Sequence, residues 1–308
     1  MPPRTSPAFP IALAALLALA RPAFPAPAGF AFLDVPAGAR AAGLGGAYAS
    51  LAEGVEGAFW NPAALEGTHG FQMTAAHSEM FQSLRHDQFA IAGRMWGGAA
   101  SASIRAFYTE AIDERDQLGN LIGTFGSHDL EIALGYGRRW APGVRLGGTV
   151  QLVRERIANE AANTVAANLG GTWDPAGHPG LRFSVSAHNL GPSAAYTIDG
   201  EKGDPVALPA AVQAGISFGQ PAPARGFALR GAVEGRFTRG RSGIGMIGAE
   251  LSGLGGAAVR AGFRLNDQTT DLSLGAGWTL GSLRLDYAWV PYKLDIGDTQ
   301  RFQLTAQF

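Results

Sequence analysis

From Phe71 to the C-terminus apolar residues recur at every second position, and few folds are compatible with this alternation. In the segment SLRLDYAWV one face carries the apolar side chains Leu283, Leu285, Tyr287 and Trp289. The opposite face carries Arg284, Asp286 and Ala288. Successive side chains of a strand point to opposite faces, so a period of two indicates β-strands with two chemically different faces. The segments GVRLGGTVQL, GLRFSVSAHN, DLSLGAGWTL and RFQLTAQF follow the same pattern.

About fourteen such segments lie between Phe71 and Phe308, most of them close to the nine to eleven residues of a strand that crosses a bilayer. The even-numbered connections are tight turns, as in WGG, APG, GLGG and LGS. The odd-numbered connections are longer and more polar, as in TEAIDERDQLGN, NLGPSAAYTIDGEKGDP, RLNDQTTD and PYKLDIGDTQ. Short turns at one end and long loops at the other are typical of an outer-membrane barrel. The connections DPAGHPG and GQPAPARG are longer than ideal turns, so the strand count could differ by two.

The chemistry of the two faces distinguishes a membrane barrel from a soluble β-sandwich. The apolar face would be the core of a sandwich, whereas in a membrane barrel it meets lipid and the polar face lines the lumen. Aromatic residues fall near the ends of the predicted strands, where barrels carry interfacial girdles: Trp96, Trp140, Trp173, Trp278, Trp289 and Tyr292. The sequence therefore predicts an all-β fold, a transmembrane antiparallel β-barrel with both termini in the periplasm. A soluble propeller is the structural alternative.

Residues 1–28 have the features of a secretory signal peptide. Arg4 precedes the apolar run IALAALLALA, which is too short to span a bilayer as a helix, and Ala26-Pro27-Ala28 offers a cleavage site. We therefore expect export to the bacterial outer membrane and a mature chain that begins near Gly29, with an uncleaved anchor as the alternative. The net charge of -1 gives no support to a nucleic-acid partner, and the absence of Cys excludes disulfides and thiolate metal sites.

Residues 29–68 form a Gly- and Ala-rich segment ahead of the barrel, which is predicted over residues 69–308. Small residues let a backbone approach a wall closely, and Asn-Pro favours the start of a turn. We expect this N-terminal segment to be a luminal plug, with a disordered periplasmic leader as the alternative. Phe59 and Trp60 are expected to wedge against the wall. The predicted plug motif comprises Trp60, Asn61, Pro62 and Ala63.

Motifs for catalysis or cofactor binding are weak. GIGMIG matches a dinucleotide fingerprint by letter, but the residues after it leave no room for the helix that would hold a pyrophosphate. The six His show no paired ligand spacing and no G-x-S-x-G elbow occurs, so we expect no metal, no cofactor and no enzymatic activity. A barrel that assembles Ser and His from separate strands is the alternative. Charged residues on the polar strand faces are candidates to line the lumen: Arg145, Arg182, Arg260, Arg284 and Asp286.

The segment FLDVPAGARAAGLGGAYASLAEGVEGAFWNPAAL resembles the start of the PorV/PorQ family, part of the FadL-like group of outer-membrane proteins. VQLVRERI, SAHNLGP and LDYAWVPYKLDIGDTQRFQLTAQF also resemble that family, so the likeness extends over nearly the whole chain beyond residue 28. The resemblance implies a FadL-like, 14-stranded barrel with an N-terminal luminal segment. The only residues that the resemblance matches to the motif of the family are Asn61, Pro62 and Ala63. The terminal aromatic residue Phe308 resembles a barrel-assembly signal.

Two functions follow from this resemblance. The first is an accessory that docks cargo or a partner during protein secretion across the outer membrane, as in type IX secretion. The alternative is a FadL-like channel for the uptake of hydrophobic small molecules such as fatty acids. The expected partners are outer-membrane lipid, the barrel assembly machinery, and either secretion-system proteins or a hydrophobic ligand.

Overall fold

The computed structural model describes residues 29–198, 200–220, 226–293 and 297–308. The predicted signal peptide, residues 1–28, lies outside the described residues. Among the described residues, no helix has both the length and the apolar composition needed to cross a membrane.

Fourteen antiparallel strands form one closed β-barrel. In chain order they are β1 Phe71–Glu79, β2 Leu84–Met95, β3 Gly98–Thr109, β4 His128–Ala141, β5 Val144–Ile157, β6 Glu160–Trp173, β7 Leu181–Leu190, β8 Ala211–Gly219, β9 Ala228–Thr238, β10 Ile244–Ser252, β11 Ala257–Leu265, β12 Leu272–Leu280, β13 Leu283–Pro291 and β14 Asp298–Gln307. Each strand pairs with its neighbours in the chain, and β14 pairs with β1 to close the sheet. The predicted fold class and strand count are confirmed, and the single closed sheet excludes the sandwich and the propeller.

The alternation of the sequence becomes an apolar outer face and a polar inner face. On β5, Val150 and Leu152 are 64% and 59% exposed, whereas Thr149 and Gln151 are 4% and 1% exposed. A soluble barrel would bury the first pair and expose the second. The outer face therefore meets an apolar solvent, and the buried polar residues of the wall are covered from inside the barrel.

The connections confirm the two classes of length only in part. At the end where β3 joins β4 and β7 joins β8, the long connections form small hairpins of their own, Ile112–Arg115 with Leu121–Phe125 and Thr197–Ile198 with Glu201–Lys202. We call this end the loop end and the opposite one the turn end.

Two connections at the loop end are short, which corrects the prediction that all odd-numbered connections are long. A single turn of 3-10 helix, Phe81–Ser83, joins β1 to β2, and Ala158 and Asn159 alone join β5 to β6. Ser83 and Ala158 have φ angles of 57° and 52°. This left-handed conformation reverses the chain within a few residues, so neither connection needs a long loop.

Residues 29–70 enter the barrel at the loop end and leave it at the turn end. Phe30 packs near the loop end of the wall, against Val153 on β5 and Leu208 in the connection from β7 to β8. The segment then descends through the lumen and joins β1 at Phe71. The prediction that both termini lie at the turn end is therefore wrong for the N-terminal end of the described chain, because this chain fills the lumen over its whole height.

The luminal segment consists of short helical turns, as its many glycines dictate. These are the 3-10 helix Ala31–Asp34, the helix α1 Ala39–Gly43, the 3-10 helix Gly54–Glu56, the helix α2 Gly57–Trp60 and the 3-10 helix Pro62–Gly67. Most side chains of the segment are buried, among them Leu44, Tyr48 and Leu65. We call residues 29–70 the plug.

Candidate functional site: the plug and its cavities

Glycines allow the plug backbone to lie directly on the wall. A Cβ atom on Gly43 would lie 3.0 Å from the Cα atom of Gly275 on β12. A Cβ atom on Gly262 of β11 would overlap the backbone of Leu44 and Gly45. Backbone meets backbone here with no side chain between, so the small residues of both the plug and the wall serve this contact.

The Asn-Pro turn lies at the contact between the plug and β6. Asn61 is fully buried, and its Oδ1 atom accepts a hydrogen bond from the backbone N–H of Ala63 at 3.1 Å. Its Nδ2 atom donates to the carbonyl oxygen of Gly171 on β6 at 3.3 Å. Pro62 follows as the first residue of a 3-10 helix. The Asn61 side chain therefore caps this helix and joins it to the wall.

Trp60 and Phe59 hold different positions in the plug. The Nε1 atom of Trp60 donates to the carbonyl oxygen of Ala37 at 3.0 Å, and its ring meets the ring of Tyr48 edge to face at 5.7 Å. Trp60 thus packs mainly within the plug, whereas Phe59 lies against the wall beneath the Arg105 guanidinium, 5.7 Å from the ring centroid.

A buried ion network joins the plug to the wall formed by β10, β11 and β13. Arg40 of the plug donates two hydrogen bonds to Glu250, at 2.9 and 2.8 Å. Arg260 binds the same carboxylate at 2.6 Å and also binds Asp286 at 2.8 Å. Two cations around two carboxylates satisfy charges that would otherwise be costly to bury.

Arg284 extends this network to the far side of the plug. It binds Asp286 at 2.8 Å and Glu56 of the plug at 2.8 Å. Burial alone would raise the pKa of Glu56, but the guanidinium groups of Arg284 and Arg40 outweigh that effect and hold this pKa below its usual value. The predicted residues Arg260, Arg284 and Asp286 therefore lie together, inside the barrel and next to the plug.

The other two predicted arginines lie at the turn end. Arg145 binds Glu66 of the plug at 3.2 Å and Asp174 at 2.8 Å. Arg182 binds the same Asp174 at 2.7 Å and Glu53 of the plug at 3.5 Å. These pairs fasten the lower part of the plug to the ends of β5, β6 and β7.

A single carboxylate on β9 holds the middle of the plug. Glu234 accepts hydrogen bonds from the backbone N–H groups of Ala49 and Ser50, at 3.1 and 2.8 Å, and from the Ser50 hydroxyl at 2.6 Å. Gln213 on β8 donates to the carbonyl oxygen of Gly46 at 3.1 Å. The plug backbone between residues 46 and 50 is therefore fixed to this part of the wall.

A cavity of about 800 Å³ lies above this contact, between the plug and the wall. Residues of the connections from β9 to β10 and from β11 to β12 also line it, so it reaches the loop end. Its apolar lining includes Leu33, Phe59, Trp60, Phe107, Met246 and Tyr292. Its size lies within the range of about 300–1,000 Å³ that small-molecule sites have. We call it the outer cavity.

A second cavity, of about 340 Å³, lies at the turn end between the plug and strands β7 to β9. Ser50, Leu51 and Glu53 of the plug line it together with Arg182 and Ser217 of the wall. Among the described residues the two cavities share no lining residue. The plug between Gly46 and Ser50 separates this inner cavity from the outer one.

Arg301 on β14 brings a cation to the outer cavity that has no carboxylate partner among the described residues. It is 2% exposed, and its Nη1 atom donates to the carbonyl oxygen of Pro36 at 2.6 Å. Its Nε atom has no hydrogen-bond partner within the described part of the chain. A buried guanidinium with a free donor suits a ligand that carries an oxygen acceptor.

Sequence reasoning missed Arg40, Glu56, Glu234, Glu250 and Arg301. Arg40 and Glu56 are charged residues in a stretch of otherwise small and apolar residues. This contrast could have identified them as candidates for buried ion pairs. Glu250 shares the inner face of β10 with Met246 and Gly248, which the alternation shows once the strand is placed. No group of three or more His, Asp or Glu in the described ranges could hold a metal ion.

The C-terminal Phe308 lies on the outside of the barrel at the turn end. Its ring is 71% exposed and lies 6.5 Å from the ring of Phe71. Its backbone N–H donates to the carbonyl oxygen of Phe71 at 2.8 Å, so the last residue completes the pairing of β14 with β1. Its role as an assembly signal stays a prediction.

No protein-family model and no curated protein match this chain, whereas several solved structures have its fold. A structure described as the CymD monoaromatic hydrocarbon channel aligns with a TM-score of 0.60 at 14% identity, covering 89% of this chain and 98% of the other. The Pseudomonas putida toluene transporter TodX aligns with a TM-score of 0.59 at 12% identity, covering 88% and 96%. A Pseudomonas aeruginosa FadL homologue aligns with a TM-score of 0.54 at 11% identity, covering 89% and 98%. At these identities the likeness shows a FadL-like barrel fold, and the narrower resemblance to PorV/PorQ stays a prediction.

Proposed function

We propose that this protein is a channel of the bacterial outer membrane for small hydrophobic molecules. The outer cavity is the observation that carries this proposal, because aromatic and aliphatic side chains line a space of about 800 Å³ that reaches the loop end. Proteins with the same fold are described as a monoaromatic hydrocarbon channel and a toluene transporter. Their descriptions support a channel more than an accessory of protein secretion, for which the described residues offer no specific feature.

The apolar outer face supports a location in a bilayer, and barrels with short turns at one end have those turns in the periplasm. In this orientation the loop end faces the exterior. A hydrophobic molecule enters the outer cavity from that side, and the plug between Gly46 and Ser50 stands between it and the inner cavity.

The lining also supports a polar group at one end of the transported molecule. Arg301 places a positive charge, with a donor that no described residue satisfies, beside apolar side chains such as Phe107 and Tyr292. A long-chain fatty acid combines the two chemistries, with a carboxylate for the guanidinium and an alkyl chain for the rings. A hydrocarbon such as toluene would use the apolar part alone.

Uptake by whole cells tests the proposal. A host that lacks its own fatty-acid channel is given this protein, and the entry of radiolabelled oleate and toluene is measured. Uptake above that of cells without the protein is expected for at least one probe. Ser242→Trp, at a residue that lines the outer cavity, should lower this uptake. Leu118→Trp, in a hairpin where the side chain is 87% exposed, is the matched control and should leave it unchanged.

Arg301→Gln separates the two classes of substrate. It should lower oleate uptake and spare toluene uptake, because it removes the charge and keeps a donor for the Pro36 carbonyl. The proposal of a channel would be contradicted if the protein is folded in the outer membrane and the cells take up neither probe.

A further inference from the structure

The outer end of the plug lies near two acidic residues of the wall that have no basic partner among the described residues. Asp129 on β4 and Glu155 on β5 are 8% and 9% exposed. Register places them side by side, since Leu130 pairs with Arg154 and the Arg156 backbone N–H donates to Asp129 at 3.3 Å. Neither carboxylate forms an ion pair with Lys or Arg anywhere in the described ranges, and the Oε2 atom of Glu155 has no hydrogen-bond partner there.

Two adjacent buried carboxylates are costly when both are charged, unless a cation lies between them. The hydroxyl of Tyr196 donates to Glu155, but it brings no charge. Glu160 at the start of β6 adds another acidic group, whose Oε2 atom is buried and also unpartnered within the described chain. The described residues contain no cluster suited to a metal ion. A shared proton or a cation from a different source would balance the pair.

The chain itself supplies a cation at this place. Phe30 is fully buried and packs with Val153 and Ala162, and Ala162 is the register partner of Glu155, so the start of the plug lies next to Glu155. Gly29 precedes it and lies so close to the Val206 side chain that a Cβ atom there would overlap it. The nitrogen of Gly29 is one residue from the Phe30 amide, which puts it within a few side-chain bonds of Glu155. Cleavage after Ala28, which the sequence predicts, would turn that nitrogen into an α-ammonium group.

We propose that the α-ammonium group of Gly29 in the mature chain binds to Asp129 and Glu155 and fastens the outer end of the plug. In the precursor the same nitrogen belongs to a neutral peptide bond, so this ion pair forms only after the signal peptide has been removed. Maturation is then coupled to attachment of the outer end of the plug to the wall.

Acetylation of amines in the protein purified from the outer membrane tests this proposal. An exposed α-amine has a pKa of about 7.7–8.0 against about 10.4 for Lys, so at neutral pH it is the first amine to react. Beyond residue 28 the chain has Lys202 and Lys293, and Lys202 lies in an exposed hairpin and serves as the internal standard. The intact mass is measured first, and a mature chain that begins at Gly29 is expected. Peptide mass spectrometry then gives the rate of acetylation at each amine.

In the folded protein we expect the Gly29 amine to react at least about tenfold more slowly than in the unfolded protein. This factor corresponds to a pKa of the amine that is raised by about one unit, because only the uncharged amine reacts. The double variant Asp129→Asn, Glu155→Gln should lose most of this protection while the amine keeps its steric surroundings. Glu201→Gln, at an exposed carboxylate, is the control and should keep it. Insertion of Gly-Ser between Ala28 and Gly29 moves the ammonium group away from the pair and should also abolish protection.

Three outcomes would overturn the proposal. The mature chain could begin at another residue, or the Gly29 amine could react as fast in the folded as in the unfolded protein. The double variant could also keep full protection, which would assign the slow reaction to steric burial alone. Heat-modifiable migration on gels verifies that each variant is folded, and if the double variant fails to fold, the single variants Asp129→Asn and Glu155→Gln, which also keep the steric surroundings of the amine, decide between the outcomes.

Discussion

At the scale of single residues, buried charges and close glycine contacts fix the position of the plug in the lumen. Arg40 and Glu56 are the charges of the plug at the ion network, and Glu250 and Arg284 are their partners on the wall. Removal of one partner from a buried pair leaves an uncompensated charge and typically costs about 3–5 kcal/mol. Each of these contacts therefore stabilises one position of the plug relative to the wall.

Asn61→Ala should weaken the attachment of the plug at its last helical turn. The variant loses the cap on Ala63 and the bond to Gly171, with a cost of about 1 kcal/mol if one buried bond is lost. Hydrogen exchange of the amides near Ala63 should then rise by about fivefold. Asn120→Ala, in an exposed hairpin, is the control, and equal exchange in both variants would contradict the assigned role.

Gly262→Ala should displace the plug from the wall. The new methyl group would overlap the backbone of Gly45, which has no side chain that could move aside. We expect ion conductance in planar bilayers to rise above that of the unaltered protein. Gly235→Ala adds the same methyl group at ordinary van der Waals distance from its neighbours and should leave the protein closed. A closed Gly262→Ala variant would show that the close approach is not needed for the seal.

Deletion of Phe308 should lower the amount of folded protein in the outer membrane. The residue ends β14 on the exposed face and bonds to Phe71, so it contributes both to the last strand and to closure. Phe237→Ala, which removes an outer-face ring that is 53% exposed, is the control for lost apolar area. If folded levels fall equally in both variants, Phe308 is one more lipid-facing side chain and not a signal.

At the scale of elements, the plug behaves as a separate unit inserted in a complete sheet. All fourteen wall strands pair with each other, and no plug element joins the sheet. The plug contributes short helices and side-chain bonds to the inner face, while the backbone hydrogen bonds of the wall are satisfied without it. The barrel is therefore expected to form in the absence of the plug.

Removal of residues 38–65 should leave a barrel that folds but conducts ions. A 14-stranded barrel leaves a lumen unless something fills it, and this segment separates the two cavities. Channel recordings in planar bilayers should show open pores for the truncated protein and near silence for the intact one. Removal of residues 112–125, the hairpin between β3 and β4, is the control and should give a closed protein. Equal conductance of intact and plug-deleted protein would show that the segment does not close the pore.

At the scale of the whole molecule, the face chemistry determines the medium in which the barrel is stable. Large apolar side chains such as Leu134 at 66% and Val150 at 64% exposure cover the outside. Exposed apolar surface of this extent would drive aggregation in water and is covered by lipid or detergent.

The purified protein should therefore fold only in detergent or lipid. It should give a mainly β circular dichroism spectrum and should migrate faster on gels before heating than after it, since the closed sheet resists unfolding by detergent. A folded monomer that stays in solution without detergent would contradict the membrane assignment.

Period-two alternation with apolar outer positions was enough to predict the strands, their number and the barrel, because strand geometry converts a local pattern into a face. The Gly-rich composition and Asn61-Pro62 likewise indicated a compact plug with a turn before β1. Local pattern could not show that the described chain starts at the loop end, or that β1–β2 and β5–β6 have short connections. Those features depend on how the lumen is filled and on single left-handed residues such as Ala158.

The partners of the buried charges were decided by the tertiary structure alone. Arg40 meets Glu250 across 210 positions of sequence, and Glu56 meets Arg284 across 228. Alternation shows which wall residues face the lumen. It does not show which plug residue lies opposite each of them. That choice follows from closure of the sheet, which sets the height of every strand, and from the path of the plug through the lumen. The outer cavity beside Arg301 exists only because that path leaves space on one side.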